Sequence, residues 1–236
     1  MTTPRTVAYG AATITYELIF SKRKTVGISI KPDSQVIVRA PRGASLKEID
    51  RIVHKRAAWI LRHQDKFASS PLPAPPRQYL SGESHNYLGE QYQLQVNLDK
   101  YDSVELLPGR LLVTVRRNDP DRVKGLLTEW YRSQARQIFA QRLEANYPKI
   151  RPYNVPYPQL KIRLMKKRWG SCSADGRINL NLRLIQAPLI YIDYVITHEL
   201  CHLIEHNHSR TFYTLLELLQ PDWRKRRQEL NLRDIV

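Results

Sequence analysis

The segment THELCHLIEHNHSRTF, residues 197–212, constrains the chain most, because it holds four of the seven histidines. Its first part, His198-Glu199-Leu-Cys-His202, is an H-E-x-x-H pattern, which places two histidines one helical turn apart. Apolar residues recur at helical spacing between residues 192 and 203, and they predict a separate buried face of the same helix. Two imidazoles in this arrangement can bind one zinc ion, with the Glu199 carboxylate close to the metal but not bound to it.

A catalytic zinc site also needs a third protein ligand and an open position for water. On a continuous helix, His206 would lie about 6 Å beyond His202 along the axis and about 12 Å beyond His198, which one ion cannot bridge. The chain therefore has to turn before it supplies the third ligand. Asn207 tolerates the left-handed conformation that ends many helices, so we predict that the helix ends there and that His208 folds back to the metal.

The spacing of residues 198, 202 and 208 is the one that zinc endopeptidases of the metzincin type use, although Glu205 replaces the glycine usual in their loop. His208 is the favoured third ligand, and Glu205, His206 and Glu217 are the alternatives. Two interpretations without a catalytic metal also stay open. One is a polar helix face that binds no metal, and the other is a closed structural zinc site that includes Cys172 or Cys201.

The chain has 236 residues, a net charge of +16 and a sequence pI near 10.0. Such a charge attracts polyanions such as nucleic acids, nucleotides or acidic surfaces, although it also serves solubility alone. Basic residues are dense between residues 149 and 183 and between Arg224 and Arg227, on both sides of the histidine segment. A nucleic acid or another polyanion is therefore a predicted partner near the histidines.

The sequence has no apolar run long enough to span a bilayer and no apolar core of a secretory signal at its start. Its only cysteines are Cys172 and Cys201, which are too few for a disulfide framework. We therefore predict a cytoplasmic protein with free thiols and no membrane contact.

The first half of the sequence predicts strands, because Val, Ile, Thr and Tyr are frequent between turn signals. The expected strands cover residues 13–20, 25–30 and 35–40 and much of 79–116. Between them, Ser45 and Glu48 form a capping box, which starts a helix expected over residues 46–67. The proline-rich segment 69–77 predicts a linker. We interpret residues 1–117 as a β-rich N-terminal region with one helix.

From residue 118 the pattern changes to helices around short strands. Asp119 and Pro120 start a long helix that is expected to reach residue 147, and strands are expected at 160–164 and 178–184. Pro188 then starts the helix that carries His198, and a further helix is expected over residues 209–219. We interpret residues 118–236 as the catalytic domain, and the sequence shows no internal repeat.

Several segments of the chain resemble the YgjP-like metallopeptidases, which are zinc-dependent hydrolases related to the SprT-like and WLM proteases. The segments are KRWGSC (167–172), INLNLRL (178–184), DYVITHELCHL (193–203), NHS with Phe212 (207–212) and Pro221-Asp222. The resemblance runs over most of the chain and is far more specific than H-E-x-x-H alone. At His206 the family has no fixed residue to compare.

The resemblance implies an α+β, zincin-like fold. In that fold a long backing helix, a small mixed sheet and the active-site helix would follow the β-rich region. The resemblance also implies one Zn²⁺ ion on His198, His202 and His208, with Glu199 as the general base. A peptide or protein is the implied substrate.

The edge strand of the sheet in zincins commonly aligns an extended peptide by strand addition. We expect residues 178–184 to be that strand, with Asn179 and Asn181 near the substrate, although an interior strand is the alternative. Arg168 and Trp169 are the other expected substrate-binding residues. Arg168 can bind a carboxylate or phosphate or form a structural ion pair, and Trp169 is expected to pack beneath the site. The donor to the oxyanion stays open among Tyr194, His206, Tyr213 and Arg168.

Together these features predict a zinc-dependent hydrolase, and above all a metallopeptidase in which Glu199 activates a water. Two alternatives remain. One is a metal-dependent hydrolase of nucleoside triphosphates, whose phosphates would meet the basic residues. The other is a basic nucleic-acid-associated module with a structural zinc, whose binding would depend on salt.

Overall fold

The computed structural model describes residues 3–31, 33–68 and 77–232, which belong to two compact units, Met1–Pro75 and Pro76–Val236. Both units combine helices with small mixed sheets, so the predicted α+β class is confirmed. Most of segment 69–77, where a linker is predicted, lies outside the described residues. In the part of the chain that is described, no helix has the length and apolar character needed to cross a membrane.

The first unit begins with a mixed sheet. Its strands are β1 (Thr3–Tyr9), β2 (Ala12–Ser21), β3 (Gly27–Ile30) and β4 (Val36–Pro41). They lie in the order β1-β2-β4-β3, with β2 and β4 parallel and both outer pairs antiparallel. The last three strands match predicted ones, whereas β1 is not predicted. Its residues become a strand by pairing with β2 through a tight turn at Gly10, where φ is +60°.

Two helices follow β4, where the sequence predicts one. They are α1 (Leu46–Lys55) and α2 (Ala57–Ala68). The single helix expected over residues 46–67 is therefore wrong at Arg56, where φ is −99° and ψ is 4°. The backbone N–H of Arg56 is shared between the carbonyls of Ile52 and Val53, which tightens the last turn of α1. Both helices pack on the sheet in one apolar cluster.

The second unit begins with a sheet of the same topology. Its strands are β5 (Ser84–Tyr87), β6 (Glu90–Leu98), β7 (Ser103–Leu107) and β8 (Arg110–Val115). Their order is β5-β6-β8-β7, again with a parallel central pair and antiparallel outer pairs. The chain then enters α3 (Pro120–Asn146), as it enters α1 after β4. The sheet-and-helix arrangement therefore occurs twice, although the sequence itself shows no repeat.

Helix α3 joins this sheet to the rest of the second unit. Val123 and Leu127 pack with residues of β6 and β8, whereas Phe139 and Leu143 pack in the large cluster that includes the histidine-bearing helix. The compact units consequently divide at Pro75 and Pro76, inside the proline-rich segment. The boundary expected between residues 117 and 118 is a different one, because it separates the β-rich region from the catalytic domain. It stays a prediction.

A second sheet of this unit contains β9 (Gln159–Arg163), β10 (Gly170–Cys172) and β11 (Arg177–Asn181), in the order β10-β11-β9. Both backbone edges of β11 are paired, so the expectation that this segment is an edge strand is wrong. The strand also ends before residue 184. The Asn181 side chain accepts a hydrogen bond from the Arg183 N–H at 3.2 Å and starts a 3₁₀ turn.

The second unit continues with α4 (Leu189–Cys201), α5 (Arg210–Leu219) and α6 (Trp223–Asn231). Helix α4 starts directly after Pro188, as predicted. Its residues Ile192, Ile196 and Leu200 have no exposed surface and pack in one cluster with Phe139 of α3. Each buried side chain of this size contributes about 1.5–3 kcal/mol. This packing fixes the helix that presents the first two histidines.

Candidate metal centre

Helix α4 ends earlier than the sequence predicts. Its last residue is Cys201, with His202 as the C-cap. Asn207 is not in the left-handed conformation, so the predicted helix end at that residue is wrong. The N–H groups of Ile204 and Glu205 both donate to the Cys201 carbonyl, which tightens the turn. The turn therefore starts at the second histidine.

This turn brings His208 back beside the helix. Nε2 of His208 lies 3.0 Å from Nε2 of His198. One ligand atom from each of His198, His202 and His208 lies within 4.8 Å of the others. Ser209 then begins α5 by accepting a hydrogen bond from the Phe212 N–H at 3.2 Å. Among the described residues, the alternatives Glu205, His206 and Glu217 do not belong to this group.

A buried phenylalanine supports all three rings. The ring centroid of Phe212 lies 5.0 Å from that of His198, 4.5 Å from that of His202 and 4.8 Å from that of His208. Phe212 is completely buried in the first turn of α5. Its contact with the three rings is not predicted from the sequence. An aromatic residue three positions after the Ser209 cap, close to the histidines, was the available signal.

Burial keeps the two imidazoles at the end of α4 neutral. Burial, the neighbouring histidine rings and Arg227 together lower the pKa of His198 to about 3. Burial also lowers the pKa of His202, whose Nδ1 lies 3.1 Å from the Glu205 carbonyl oxygen. The contact at Nδ1 leaves Nε2 of His202 available. A neutral imidazole nitrogen with a free lone pair is the form of histidine that binds a metal.

The Glu199 carboxylate is buried beside these rings. The residue is 4% exposed, and its Oε2 has no hydrogen-bond partner among the described residues. Burial raises the pKa of this carboxyl to about 8, and the charge of Arg168 opposes the shift. Gly170 of β10 lies against it, since a Cβ built there would be 2.5 Å from Glu199 Oε1. Glycine at position 170 therefore leaves the space that this carboxylate occupies.

A polar network connects α3 to α4. Arg142 donates to both carboxylate oxygens of Asp193, at 2.7 and 2.5 Å, and Asn146 donates to the same carboxylate at 2.9 Å. Lys149 donates to Asn146 at 2.8 Å and to Thr197 at 3.4 Å. Thr197 directly precedes His198 in the sequence. The network therefore orients the helix turn that carries the first histidine.

The histidines open into a cleft of about 540 Å³. Its lining includes the exposed cations Lys167, Arg168 and Arg227, so positive charge lies at the site as predicted. Among the described lining residues, Glu199 is the one carboxylate. Trp169 also lines the cleft, and its Nε1 lies 3.4 Å from Asn231 Oδ1 of α6. Trp169 is half-buried and packs against the core cluster, and its expected place beneath the site stays a prediction.

Two of the expected substrate-binding residues do not reach this cleft. Asn179 and Asn181 are absent from its lining among the described residues. Asn181 is fully buried and donates to the carbonyls of Met165, at 2.8 Å, and Arg168, at 2.9 Å. The structure therefore separates these asparagines from the histidines. Asn181 holds in place the loop that carries Arg168.

The candidate oxyanion donors also differ in whether they line the cleft. Tyr194 lines the cleft, and burial raises the pKa of its hydroxyl to about 12. His206 lines it too, whereas Tyr213 stacks on Trp223 with ring centroids 5.3 Å apart. Cys172 and Cys201 are free thiols, as predicted, and neither joins the histidine group among the described residues.

The family comparison agrees with this geometry. Residues 24–233 match the YgjP-like metallopeptidase domain. The chain belongs to the YgjP-like family. The resemblance predicted from the five segments is therefore confirmed, and a metal-dependent hydrolase is the class of protein that the family indicates. No curated protein matches the chain.

The residues present fit the metal that a YgjP-like metallopeptidase implies, which is typically zinc. Three imidazoles that converge from a helix and the turn after it are a common donor set of catalytic zinc sites. Nδ1 of His198 and Oε2 of Glu199 are buried atoms that have no partner in the described part of the chain. A site with a bound ion and its water would give such a carboxylate oxygen a partner. No described cysteine or carboxylate closes the group.

Proposed function

We propose that this YgjP-like protein is a zinc-dependent metallopeptidase in which His198, His202 and His208 hold one Zn²⁺ ion and Glu199 is the general base. One observation carries the proposal, namely three converging imidazoles beside a buried carboxyl group with an unpartnered oxygen. A bound zinc ion supplies a Lewis acid, which lowers the pKa of water and polarises a carbonyl. Family membership supports peptides or proteins as substrates.

In the proposed reaction, the ionised form of Glu199, which the charge of a bound zinc ion would favour against the effect of burial, accepts a proton from the attacking water and later passes it to the leaving amine. Its Oε2 atom is available for this step, because no described residue donates to it. Tyr194 and Arg168 line the cleft and are the proposed donors to the negative charge that develops on the substrate oxygen. The hydroxyl of Tyr194 keeps its proton, because burial raises its pKa to about 12.

Strand β10 is the proposed guide for the peptide. It lies at the end of its sheet, and β11 is its one paired neighbour in the described residues. Gly170, Ser171 and Cys172 all line the cleft. An extended peptide can add to such an edge as a further strand. The role that the sequence analysis gives to residues 178–184 is therefore proposed for β10.

A second candidate is the hydrolysis of nucleoside triphosphates. It is favoured by the exposed cations Lys167, Arg168 and Arg227 in the cleft, which suit the binding of phosphates. Parallel assays with peptides and nucleoside triphosphates separate the two candidates. Release of phosphate without peptide cleavage would favour the nucleotide hydrolase.

The general base is tested by Glu199→Gln. We expect hydrolysis to fall by about 10²–10⁴-fold, because the amide cannot accept a proton from water. Zinc content, measured by mass spectrometry, should stay unchanged, because the carboxylate is not a proposed ligand. Glu205→Gln removes a carboxylate from the adjoining turn and is the matched control that should keep its turnover. Full activity of Glu199→Gln would reject the assigned base.

The ligand set is tested by a pair of neighbouring histidines. His208→Ala should lose most of its zinc, because two imidazoles hold the ion more weakly than three. His206→Ala should keep it, because this ring does not belong to the converging group. Metal analysis after dialysis against a weak chelator measures both. Equal zinc content in the two variants would contradict the proposed third ligand.

A further inference from the structure

A basic groove lies between α3 and β9. Its volume is about 430 Å³, and it shares no described lining residue with the histidine cleft. One wall carries Arg132 and Arg136 of α3, and the other carries Lys161 and Arg163 of β9. The remaining lining residues are Ala140, Leu160 and Ile162. The groove is therefore lined by four cations and three apolar residues.

The four cations form two rows. Arg132 and Arg136 are one helical turn apart and lie on the same side of α3. Lys161 and Arg163 are two residues apart on a strand, so their side chains point to the same face. Both are exposed, whereas Leu160 and Ile162 between and beside them are half-buried. A linear anion that runs along the groove can contact both rows.

The charge of these rows is largely uncompensated. Arg132 lies 3.6 Å from the carboxylate of Glu129, which is 71% exposed. Such an exposed pair is weak and screened by salt. Among the described residues, Arg136, Lys161 and Arg163 form no ion pair, and no acidic residue lines the groove. Cations that line one groove without a counter-charge repel one another, and a bound polyanion relieves that repulsion.

We propose that this groove binds the phosphate backbone of single-stranded nucleic acid. Phosphates lie on the backbone itself, so any strand can meet both rows, whereas a peptide would need acidic residues at several set positions. The other lining residues, Ala140, Leu160 and Ile162, offer no polar or aromatic side chain to read or stack bases. Binding is therefore independent of base sequence. The net charge of +16 adds attraction at longer range.

The proposal does not rest on hydrolytic activity, and equilibrium binding of the full chain tests it. The probe is a labelled oligothymidylate of about 20 nucleotides, followed by fluorescence anisotropy at several salt concentrations. Four phosphate contacts should give a slope of log K against log salt of about −3, because each contact on a single strand contributes about 0.7. An oligouridylate of the same length should bind comparably.

Each wall is tested by one double variant. Arg132→Gln with Arg136→Gln should reduce the slope by about 1.4 and the affinity at 0.1 M salt by about 25-fold. Lys161→Gln with Arg163→Gln should have the same effect, because it also removes two contacts. Arg42→Gln with Lys47→Gln is the matched control, since it removes the same charge from exposed positions of the first unit. The control should bind within about twofold of the unaltered chain.

Three results would overturn the proposal. Equal losses in the control and in the groove variants would show diffuse attraction to the whole basic surface. A duplex that binds more tightly than the single strand would reject the single-stranded ligand. Polyglutamate binding that the groove variants weaken, without binding of the oligonucleotide, would assign the groove to acidic peptides.

Discussion

The two units start with the same arrangement of sheet and helix, yet the proposed metal site belongs to the second. In both, a polar side chain caps the helix that follows the last strand. Ser45 accepts a hydrogen bond from the Glu48 N–H, and Asp119 accepts one from the Asp121 N–H. In both, the fourth and eighth residues after the cap are buried against the sheet. They are Ile49 and Val53 in the first unit and Val123 and Leu127 in the second.

The helices differ beyond this point. Helix α3 continues with an apolar residue at every fourth position, and all of them are buried: Tyr131, Ala135, Phe139 and Leu143. Such a stripe turns around the helix by about 40° at each step. Its start therefore faces the sheet, and its end faces the cluster that contains α4. In the first unit, α1 ends at Lys55, and the positions that correspond to Ala135 and Phe139 fall in α2, at the half-buried Leu61 and the exposed Asp65.

The two units share a four-stranded sheet and the start of the helix that follows it, and we call this shared part the frame. They differ in whether the helix continues far enough to support the helix that carries the histidines. In both units, the start of the helix packs against the sheet. The late apolar residues of α3 add a second contact surface, on which α4 can pack. The late residues of the helix, and not the topology of the sheet, therefore decide whether the frame holds a further layer.

The difference between the two units is tested most strongly by substitutions at corresponding positions of α3 and α2. Phe139→Ala should lower the free energy of unfolding of the second unit by about 3–5 kcal/mol, because it leaves a cavity between α3 and α4. Asp65→Ala, at the corresponding position of the first unit, should cost less than about 1 kcal/mol. Native-state hydrogen exchange, read separately for the amides of each unit, measures both values. Losses of equal size would remove the proposed difference between the helices.

A buried histidine in β5 makes the stability of the second unit sensitive to pH. His85 of β5 is 1% exposed, and burial, aided by the charge of Arg77, lowers its pKa from 6.5 to about 4. The unfolded chain binds a proton near pH 6.5, but the folded unit does so only near pH 4. The contribution of His85 to the stability of the second unit should therefore be constant above pH 6.5 and should fall by about 3 kcal/mol as pH is lowered to 4.

The stability of the first unit should change at a lower pH than that of the second unit. Its described histidines, His54 and His63, are not buried. A hydrogen bond from Arg5 lowers the pKa of the Asp50 carboxyl, so the stability that Asp50 contributes is lost only as pH falls below the ordinary carboxyl range. Hydrogen exchange at pH 7, 5 and 4 compares the units. His85→Gln should flatten the response of the second unit, and an unchanged slope would exclude His85 as the cause.

The sequence predicts the local features of the candidate site and misses the tertiary ones. The spacing of His198 and His202 on a helix, and the need for a turn before His208, follow from helix geometry alone. The end of α4 does not, because it depends on the contact of His202 with the Glu205 carbonyl and on packing against Phe212. The convergence of the rings is observed, and their role as ligands stays a proposal.

Strands were harder to predict where the sequence has no alternating pattern and the strand forms only by pairing with a neighbour. Strand β10 is short and has no alternating pattern, and it is a strand because it pairs with β11. The alternation of residues 178–184 wrongly predicts a strand to Leu184, because the Asn181 cap is not an apolar signal. The repeated frame is invisible in the sequence for a related reason. What repeats is strand order, a polar cap and two buried positions, which many different residues can provide.

The helix caps are the smallest test of the comparison, and they probe the part where the two frames agree. Ser45→Ala should destabilise the first unit by about 1 kcal/mol, and Asp119→Ala should destabilise the second by a similar amount, because each leaves a backbone N–H without its partner. Glycine at either position should cost only a few tenths of a kcal/mol, since water can then reach the N–H groups. Hydrogen exchange in the first turns of α1 and α3 measures the effect. A much larger loss for Asp119→Ala would mean that the start of α3 already depends on the layer that packs on its end, and the two frames would then differ from their first turn onward.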